Sequence, residues 1–370
     1  MSETTLYVEL GDRRYPIYVE PAGLEGLGQA MAQHLPLGRC ALVTNPVVGA
    51  LYAQQALDAL QGAGFTPVLV EIPDGEPHKH LETYANLVAS LLDLGINRKT
   101  PIVALGGGVT GDIVGFAAST VLRGVPFVQV PTTLLAMVDS SVGGKTGVNT
   151  THGKNLVGAF YQPRMVYAAM EVLHTLDDAE WRCGLGEAIK HGVIRDASLF
   201  DWMVNNAEGL NGREPKIVAE VVRRCCAIKA AVVAADERES GLRAILNFGH
   251  TFGHALETAS GHGVIRHGEA VAIGMVAETA FAVDQALGTD PDLPAQLREG
   301  LKTLGLRATA PEVSADRMLA AAQMDKKVEG ATVSLVVPVR MGEVRLAKLP
   351  LDTLPTLLSY ASPQPPVEEL

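Results

Sequence analysis

The strongest constraint on this chain is an alternation in its first half, where short runs rich in Val, Ile and Leu separate stretches of helical periodicity. Ala41 to Thr44, Pro67 to Ile72, Ile102 to Leu105 and Phe127 to Val130 read as strands between helices. Such alternation builds a parallel sheet, because parallel strands need a crossover connection and a helix supplies it. Ahead of these runs, Leu6 to Leu10 and Tyr15 to Val19 flank Gly11-Asp12, which predicts a hairpin. From Thr175 onward the pattern turns helical, with amphipathic stretches such as Lys216 to Ala235 and Glu269 to Leu287.

A chain of 370 residues is longer than one core usually supports, so two domains are expected, residues 1–176 and 177–370, with 361–370 fraying. The predicted fold class is an α/β first domain with a mainly parallel Rossmann-like sheet and an all-α second domain, with the active site in the cleft between them. Hydrophobic residues at 47% and 38 glycines suit buried parallel strands and tight strand-to-helix turns. A net charge of -11, with no Lys/Arg-rich run, argues against a nucleic-acid partner. Met1-Ser2-Glu3 lacks the charged-then-apolar start of a secretory signal, and no uncharged apolar stretch reaches bilayer length, so a cytoplasmic protein without membrane contact is expected. The four cysteines form no CxxC pair and read as packing residues in a reducing compartment.

The strand Ile102 to Leu105 runs into Gly106-Gly107-Gly108-Val109-Thr110-Gly111-Asp112, a GxGxxG at the mouth of a helix. Backbone N–H groups there can face a pyrophosphate at the positive end of the helix. The acidic residue that usually binds ribose about 20 residues later is missing, since Val125 to Leu135 carries no carboxylate, so this is not the standard dinucleotide pattern. A second cluster, Val142-Gly143-Gly144-Lys145-Thr146, is not a P-loop, because Asp139 stands where that motif needs glycine. Lys145 nevertheless lies in a polar segment, Asp139 to Lys154, beside Asn149, Lys154 and Asn155, as a substrate-phosphate site requires. For any one of these lysines a solvated surface is the commoner role.

Along Asn247 to Ser260, the side chains of Asn247, His250, His254 and Glu257 recur at steps of three and four and share one helical stripe. A lone histidine in such a setting is usually a hydrogen-bonded core residue, but two in one stripe shift the balance toward metal binding. Gly249 and Gly253 weaken that helix, a cost best explained if something approaches its backbone closely. Glu187, Lys190 and His191 share a face of a second helix, and His267-Gly268-Glu269 opens a third. Two imidazoles and one carboxylate with open positions suit a catalytic Zn(II) or similar ion, although spacing does not choose among His191, His250, His254 and His267.

Ordered blocks along nearly the whole chain resemble the 3-dehydroquinate synthase family of sugar phosphate cyclases. They include Asp74-Gly75-Glu76-Pro77-His78-Lys79, Gly106 to Asp112, Arg123-Gly124, Pro131 to Ala136, Asp139 to Asn149, Lys154-Asn155, Gly184 to Gly192, Leu246 to Glu257, His267 to Glu269 and Asp325 to Lys327. The resemblance implies Glu187, His250 and His267 as metal ligands and His254 as acid/base. It implies NAD held by Asp74, Gly75, Glu76, Pro77, His78, Lys79, Gly108, Val109, Thr110, Gly111, Asp112, Thr132, Thr133, Lys145, Lys154, Val172, Leu173, His174 and Thr175, and Asn45 is a further candidate at the ribose. Substrate contacts fall on Asp139, Lys145, Asn155, Lys190, Lys229, Arg243, Asn247 and His254, with Lys326 or Lys327 at the phosphate and Arg123 crossing a homodimer interface.

Lys229, the only charge between Cys225 and Ala235, otherwise reads as a stem on apolar surface with its head in water. With Arg243 it could hold a substrate carboxylate. The implied cofactors are NAD and one divalent ion, Zn or Co. The implied reaction belongs to the shikimate pathway and converts 3-deoxy-D-arabino-heptulosonate 7-phosphate to 3-dehydroquinate and phosphate. It runs through transient oxidation, phosphate elimination, re-reduction, ring opening and aldol closure. The rivals are a related cyclase acting on a substrate without a carboxylate, which Lys229 with Arg243 argues against, and a polyol oxidoreductase of the glycerol dehydrogenase type.

Overall fold

The computed structural model describes residues 5–261, 264–323, 328–329 and 332–360; Lys326, Lys327 and the tail 361–370 lie outside the described residues. The chain divides into two compact units, residues 1–177 with 215–238, and residues 178–214 with 239–370.

The first unit contains β1 (Thr5–Val8), β2 (Tyr15–Glu20), α1 (Leu27–Ala32), β3 (Arg39–Thr44), α2 (Pro46–Gly62), β4 (Thr66–Glu71), α3 (Leu81–Asp93), β5 (Ile102–Gly106), α4 (Gly108–Thr120), β6 (Phe127–Pro131), β7 (Lys145–Thr150), β8 (Gly153–Phe160) and β9 (Met165–Ala169). Seven of these strands form one sheet in the order β1-β2-β9-β6-β5-β3-β4, parallel except for the β1–β2 hairpin. β5, β6 and β9 are buried along their whole length, which is why their sequences run continuously apolar instead of alternating. Leu87 and Leu91 of α3 and Ile113, Val114 and Ala117 of α4 pack on Val43, Ala104 and Phe127. From β3 the chain steps outward to β4 and then crosses back to β5, so the strand order reverses between β3 and β5. In open α/β sheets the loops beyond such a reversal are where ligands bind, and here they begin with Asn45 and Gly107.

Helices α5 (Asp178–Arg195), α6 (Ala197–Asn205) and α7 (Ala207–Asn211) belong to the second unit, and α8 (Pro215–Ala235) returns to the first. The structure thus differs from a simple division near residue 176. Periodicity identifies α8 as a helix, but not which core its apolar face covers; that face lies on β1 and β2.

The second unit continues with α9 (His250–Ser260), α10 (His267–Asp284), α11 (Leu293–Thr303), α12 (Ala315–Gln323), β10 (Val328–Glu329), β11 (Thr332–Arg340), β12 (Glu343–Pro350) and α13 (Leu354–Ser359). It is therefore not all-α: β10, β11 and β12 form an antiparallel sheet. Val333, Leu335 and Val337 of β11 enter a core with Phe252 and Leu256 of α9, Ile273 and Phe281 of α10, Met318 of α12 and Leu354 and Leu357 of α13. The missed signal is their period of two, ending at Met341-Gly342, where Gly342 has φ +84. Among the described residues no helix is long and apolar enough to cross a membrane. All four cysteines are buried and unbridged, and burial pushes the thiols of Cys40, Cys183 and Cys226 up to about 12, as packing residues require.

Candidate functional site

In the second unit, α10 packs on both α5 and α9 through glycines. A Cβ on Gly268 would lie 1.8 Å from the Cys183 carbonyl oxygen, and one on Gly249 would lie 2.6 Å from that of Val271. What approaches the α9 glycines is thus the backbone of α10. Gly249, at φ 78, also separates α9 from a 3₁₀ turn, Leu242–Asn247. Asn247 accordingly does not share the helix of His250, contrary to the single stripe read from spacing; its Nδ2 donates to Glu239 Oε1 at 2.9 Å. Arg243, in the same turn, is buried.

The convergence of α5, α9 and α10 brings Glu187, His250, His254 and His267 together. Glu187 is fully buried, and its Oε1 accepts no hydrogen bond from any described residue. That oxygen lies 3.6 Å from His250 Nε2 and 3.6 Å from His267 Nε2. Its twin, Oε2, is bonded to the buried ammonium of Lys190. The outer nitrogens of both imidazoles are held: His250 Nδ1 is 3.1 Å from the Phe248 carbonyl and His267 Nδ1 3.2 Å from Glu257 Oε2. A carbonyl or a carboxylate only accepts, so each Nδ1 is a donor, and Nε2 is the ring atom that each imidazole turns toward Glu187. A buried carboxylate oxygen with no hydrogen-bond donor among the described residues, beside two imidazole Nε2 atoms too far away to bond it directly, suits a divalent ion held between them.

The ligating nitrogens of His250, His254 and His267 also lie within 4.8 Å of one another, so His254 borders the same space. His191 is different: it bonds the Glu187 carbonyl one turn back at 2.9 Å and does not belong to this cluster. Spacing alone missed the role of Glu257 as the partner of His267, because the two lie on different helices.

The first unit assembles the other candidates. α4 begins at Gly108 with Gly107 as its cap and no side-chain cap, as an anion-binding helix entry requires. Asn45 caps α2, its Oδ1 accepting from Val48 N at 2.9 Å and its Nδ2 lying 3.5 Å from Thr110 Oγ1. Asp74 and Gly75 lead into a 3₁₀ turn, Glu76–His78, which includes Pro77. Lys79 is buried, and its Nζ donates to Asp112 Oδ2 and to Asn155 Oδ1, both at 2.6 Å. Burial raises the Asp112 carboxyl above the ordinary range, and Lys79 opposes that rise. Asn149 joins Glu76 Oε1 at 2.7 Å to the Asn155 backbone N–H at 2.9 Å. The polar segment after Asp139 is therefore a hairpin, β7–β8, tied to the 74–79 turn, with Lys145 and Lys154 exposed on it.

Thr132 is buried, and Thr133 Oγ1 accepts from Ala136 N at 3.1 Å. Val109 and Gly111 lie in the first turns of α4. Val172, Leu173, His174 and Thr175 form a 3₁₀ turn held by Tyr52, whose hydroxyl reaches the Val172 carbonyl at 3.0 Å and Thr175 Oγ1 at 2.5 Å.

Lys229 departs from the solvated-head expectation. It is buried, and its Nζ donates to the Asp139 carbonyl at 2.5 Å and to the Asp139 carboxylate. Asp139 lies in a π-helical turn, Ala136–Ser140. Arg123 is exposed in a turn where Leu122, Arg123 and Gly124 all have positive φ, at 52, 64 and 112. Two consecutive non-glycine residues there are a strained arrangement of the kind that marks functional segments.

Residues 69–183 match the N-terminal family of 3-dehydroquinate synthase, and residues 184–328 match the C-terminal family. A 3-dehydroquinate synthase of Geobacter metallireducens is 48% identical over 346 residues, 93% of this chain and 96% of the relative. One of Syntrophotalea carbinolica is 45% identical over 338 residues, 91% of this chain and 93% of the relative. The fold is also that of a 2-deoxy-scyllo-inosose synthase solved with carbaglucose-6-phosphate, NAD+ and Co2+, at 27% identity and a TM-score of 0.86, covering 96% of this chain and 99% of the other. The chain is an enzyme and belongs to the 3-dehydroquinate synthase family.

Proposed function

We propose that this chain converts 3-deoxy-D-arabino-heptulosonate 7-phosphate to 3-dehydroquinate and inorganic phosphate in the cytoplasm, as one step of aromatic amino-acid biosynthesis. The observation that carries the catalytic reading is the buried Glu187 oxygen facing the Nε2 atoms of His250 and His267. The names of the relatives support the substrate.

Glu187, His250 and His267 hold one divalent ion, Zn or Co, and NAD lies at the 74–79 turn, the entry of α4, Thr132, Thr133, Lys145, Lys154 and the 172–175 turn. When bound, the ion supplies Lewis acidity toward substrate hydroxyls and the dinucleotide a reversible hydride acceptor. His254 takes the proton of the hydroxyl being oxidised on a ring nitrogen. The ketone so formed acidifies the neighbouring C–H; as the carbon–oxygen bond to phosphate breaks, the departing phosphate carries that proton away as hydrogen phosphate. Lys145, Asn155 and Asn247, with Lys326 or Lys327, hold the phosphate as it leaves, and such positioning contributes several kcal/mol to a barrier.

Lys79 orients Asn155. An ammonium only donates, so Asn155 presents Oδ1 to it and keeps its Nδ2 group as a donor for the phosphate. Lys190 neutralises Glu187 Oε2 and holds the carboxylate in place. Lys229 orders Asp139 and, with Arg243, contacts the substrate carboxylate. Arg123 serves the active site of a second copy in a homodimer, which its strained, exposed turn supports. The reaction is redox-neutral overall.

Supplying the heptulosonate phosphate with NAD and Zn(II) tests the reading. One phosphate per substrate with no lasting NADH is expected; steady accumulation of NADH would instead mark a polyol dehydrogenase. Equal turnover of a sugar phosphate lacking the carboxylate would mark a related cyclase.

A further inference from the structure

A buried carboxylate that no proposed catalytic step uses reaches the entry of α9. Glu278 is completely buried and is the only charged residue between Glu269 and Asp284 in the otherwise apolar middle of α10. Its Oε2 accepts from Gly249 N at 2.8 Å and its Oε1 from Phe252 N at 3.0 Å. These amides flank His250. The N-cap, Gly249, has no side chain and sits at φ 78, so α9 carries no cap of its own. The first amides of a helix lack intrahelical partners and concentrate partial positive charge, and a carboxylate from the neighbouring helix satisfies both needs. A lone buried carboxylate is otherwise too costly to keep in an apolar helix.

We infer that Glu278 is a positioning residue for the metal centre, clamping the first turn of α9 to α10 and thereby fixing His250 against His267. His267 is the first residue of α10, so the helix that carries one ligand also carries the clamp on the other. His250 has little freedom once both amides are held, because its Nδ1 is tied to the Phe248 carbonyl. The signal in the sequence is the single acid in an apolar helical run. The inference rests on the reading of Glu187, His250 and His267 as ligands.

Glu278→Gln tests it. The carboxamide keeps size and one acceptor but sets an N–H group against one of the two amides. Co(II) affinity is expected to fall by about 10-fold to 100-fold, as it does when an outer partner of a metal ligand is lost. The visible Co(II) spectrum should shift as the geometry loosens, while NAD affinity, read in the other unit, stays unchanged. Wild-type Co(II) affinity and spectrum in Glu278→Gln, with binding abolished in His250→Ala, would overturn this inference alone. Wild-type Co(II) binding in His250→Ala would overturn the ligand assignment beneath it. Should Glu278→Gln not fold, hydrogen exchange on the wild-type full chain stripped of metal decides the matter. The Gly249 and Phe252 amides should be protected before metal is added, and fast exchange that slows only on metal addition would overturn the clamp.

Discussion

Glu187 Oε1 lies 3.6 Å from His267 Nε2 while the opposite nitrogen of that imidazole is bonded to Glu257. A divalent ion entering between them competes with the proton at Nε2. Burial pulls the His267 pKa down, but the bond to Glu257 and the charges of Glu187 and Glu257 outweigh it and leave the net value raised. In the metal-free chain the charged imidazole therefore adds stability that is fully present below the unfolded value of about 6.5. That stability is lost as pH rises through the raised folded value. Metal binding follows the opposite sign, strengthening as the proton leaves. Zn(II) affinity, measured by chelator competition, should climb between about pH 6 and 8, by at most about tenfold per unit for each proton displaced. A flat profile would contradict this.

Lys79 is the hub of the first unit's polar groups, bonded to both Asp112 and Asn155. Lys79→Met removes the ammonium, leaving the Asp112 carboxylate unpaired in a mostly buried position and releasing the Asn155 carboxamide. Loss of one partner of such a pair costs about 3 kcal/mol, at the low end because Asp112 can relieve itself by protonation. Denaturant unfolding should show that loss, accompanied by a raised KM for the sugar phosphate. Unchanged stability would mean that the pair is not formed in solution.

Gly268→Ala should damage the metal centre without touching a ligand. The new Cβ would meet the Cys183 carbonyl at 1.8 Å, backbone that cannot yield unless α5 and α10 separate. A destabilisation of about 1–3 kcal/mol, and weaker metal binding, are expected from calorimetry and titration. An alanine variant that binds metal like the wild type would show that the helix contact does not set the site.

Where side chains repeat locally, the sequence was readable. The apolar runs Ile102 to Leu105 and Phe127 to Val130 became β5 and β6, strands buried on both faces, and the stretch Glu269 to Leu287 became α10, although that helix is buried nearly all round and not on one amphipathic face. What escaped depends on pairing between distant segments. The sheet β10–β11–β12 in the second unit, the return of α8 to the first unit, the Lys229–Asp139 pair and the Lys79–Asn155 bond each join residues whose sequence positions say nothing about their distance. Gly249 shows the same limit on a small scale: a step of three from Asn247 to His250 looks helical, yet one left-handed residue between them breaks the stripe.

The central claim is that Glu187, His250 and His267 hold the ion while His254 moves the proton. Metal content of the purified His250→Ala and His254→Ala chains, each loaded with Zn(II) and desalted, tests it most directly. The account expects His254→Ala to retain one ion per chain with turnover slowed by about 10²–10⁴-fold, as loss of a general acid–base does, and His250→Ala to retain none. Equal metal loss in the two variants would make His254 a ligand and contradict the assignment.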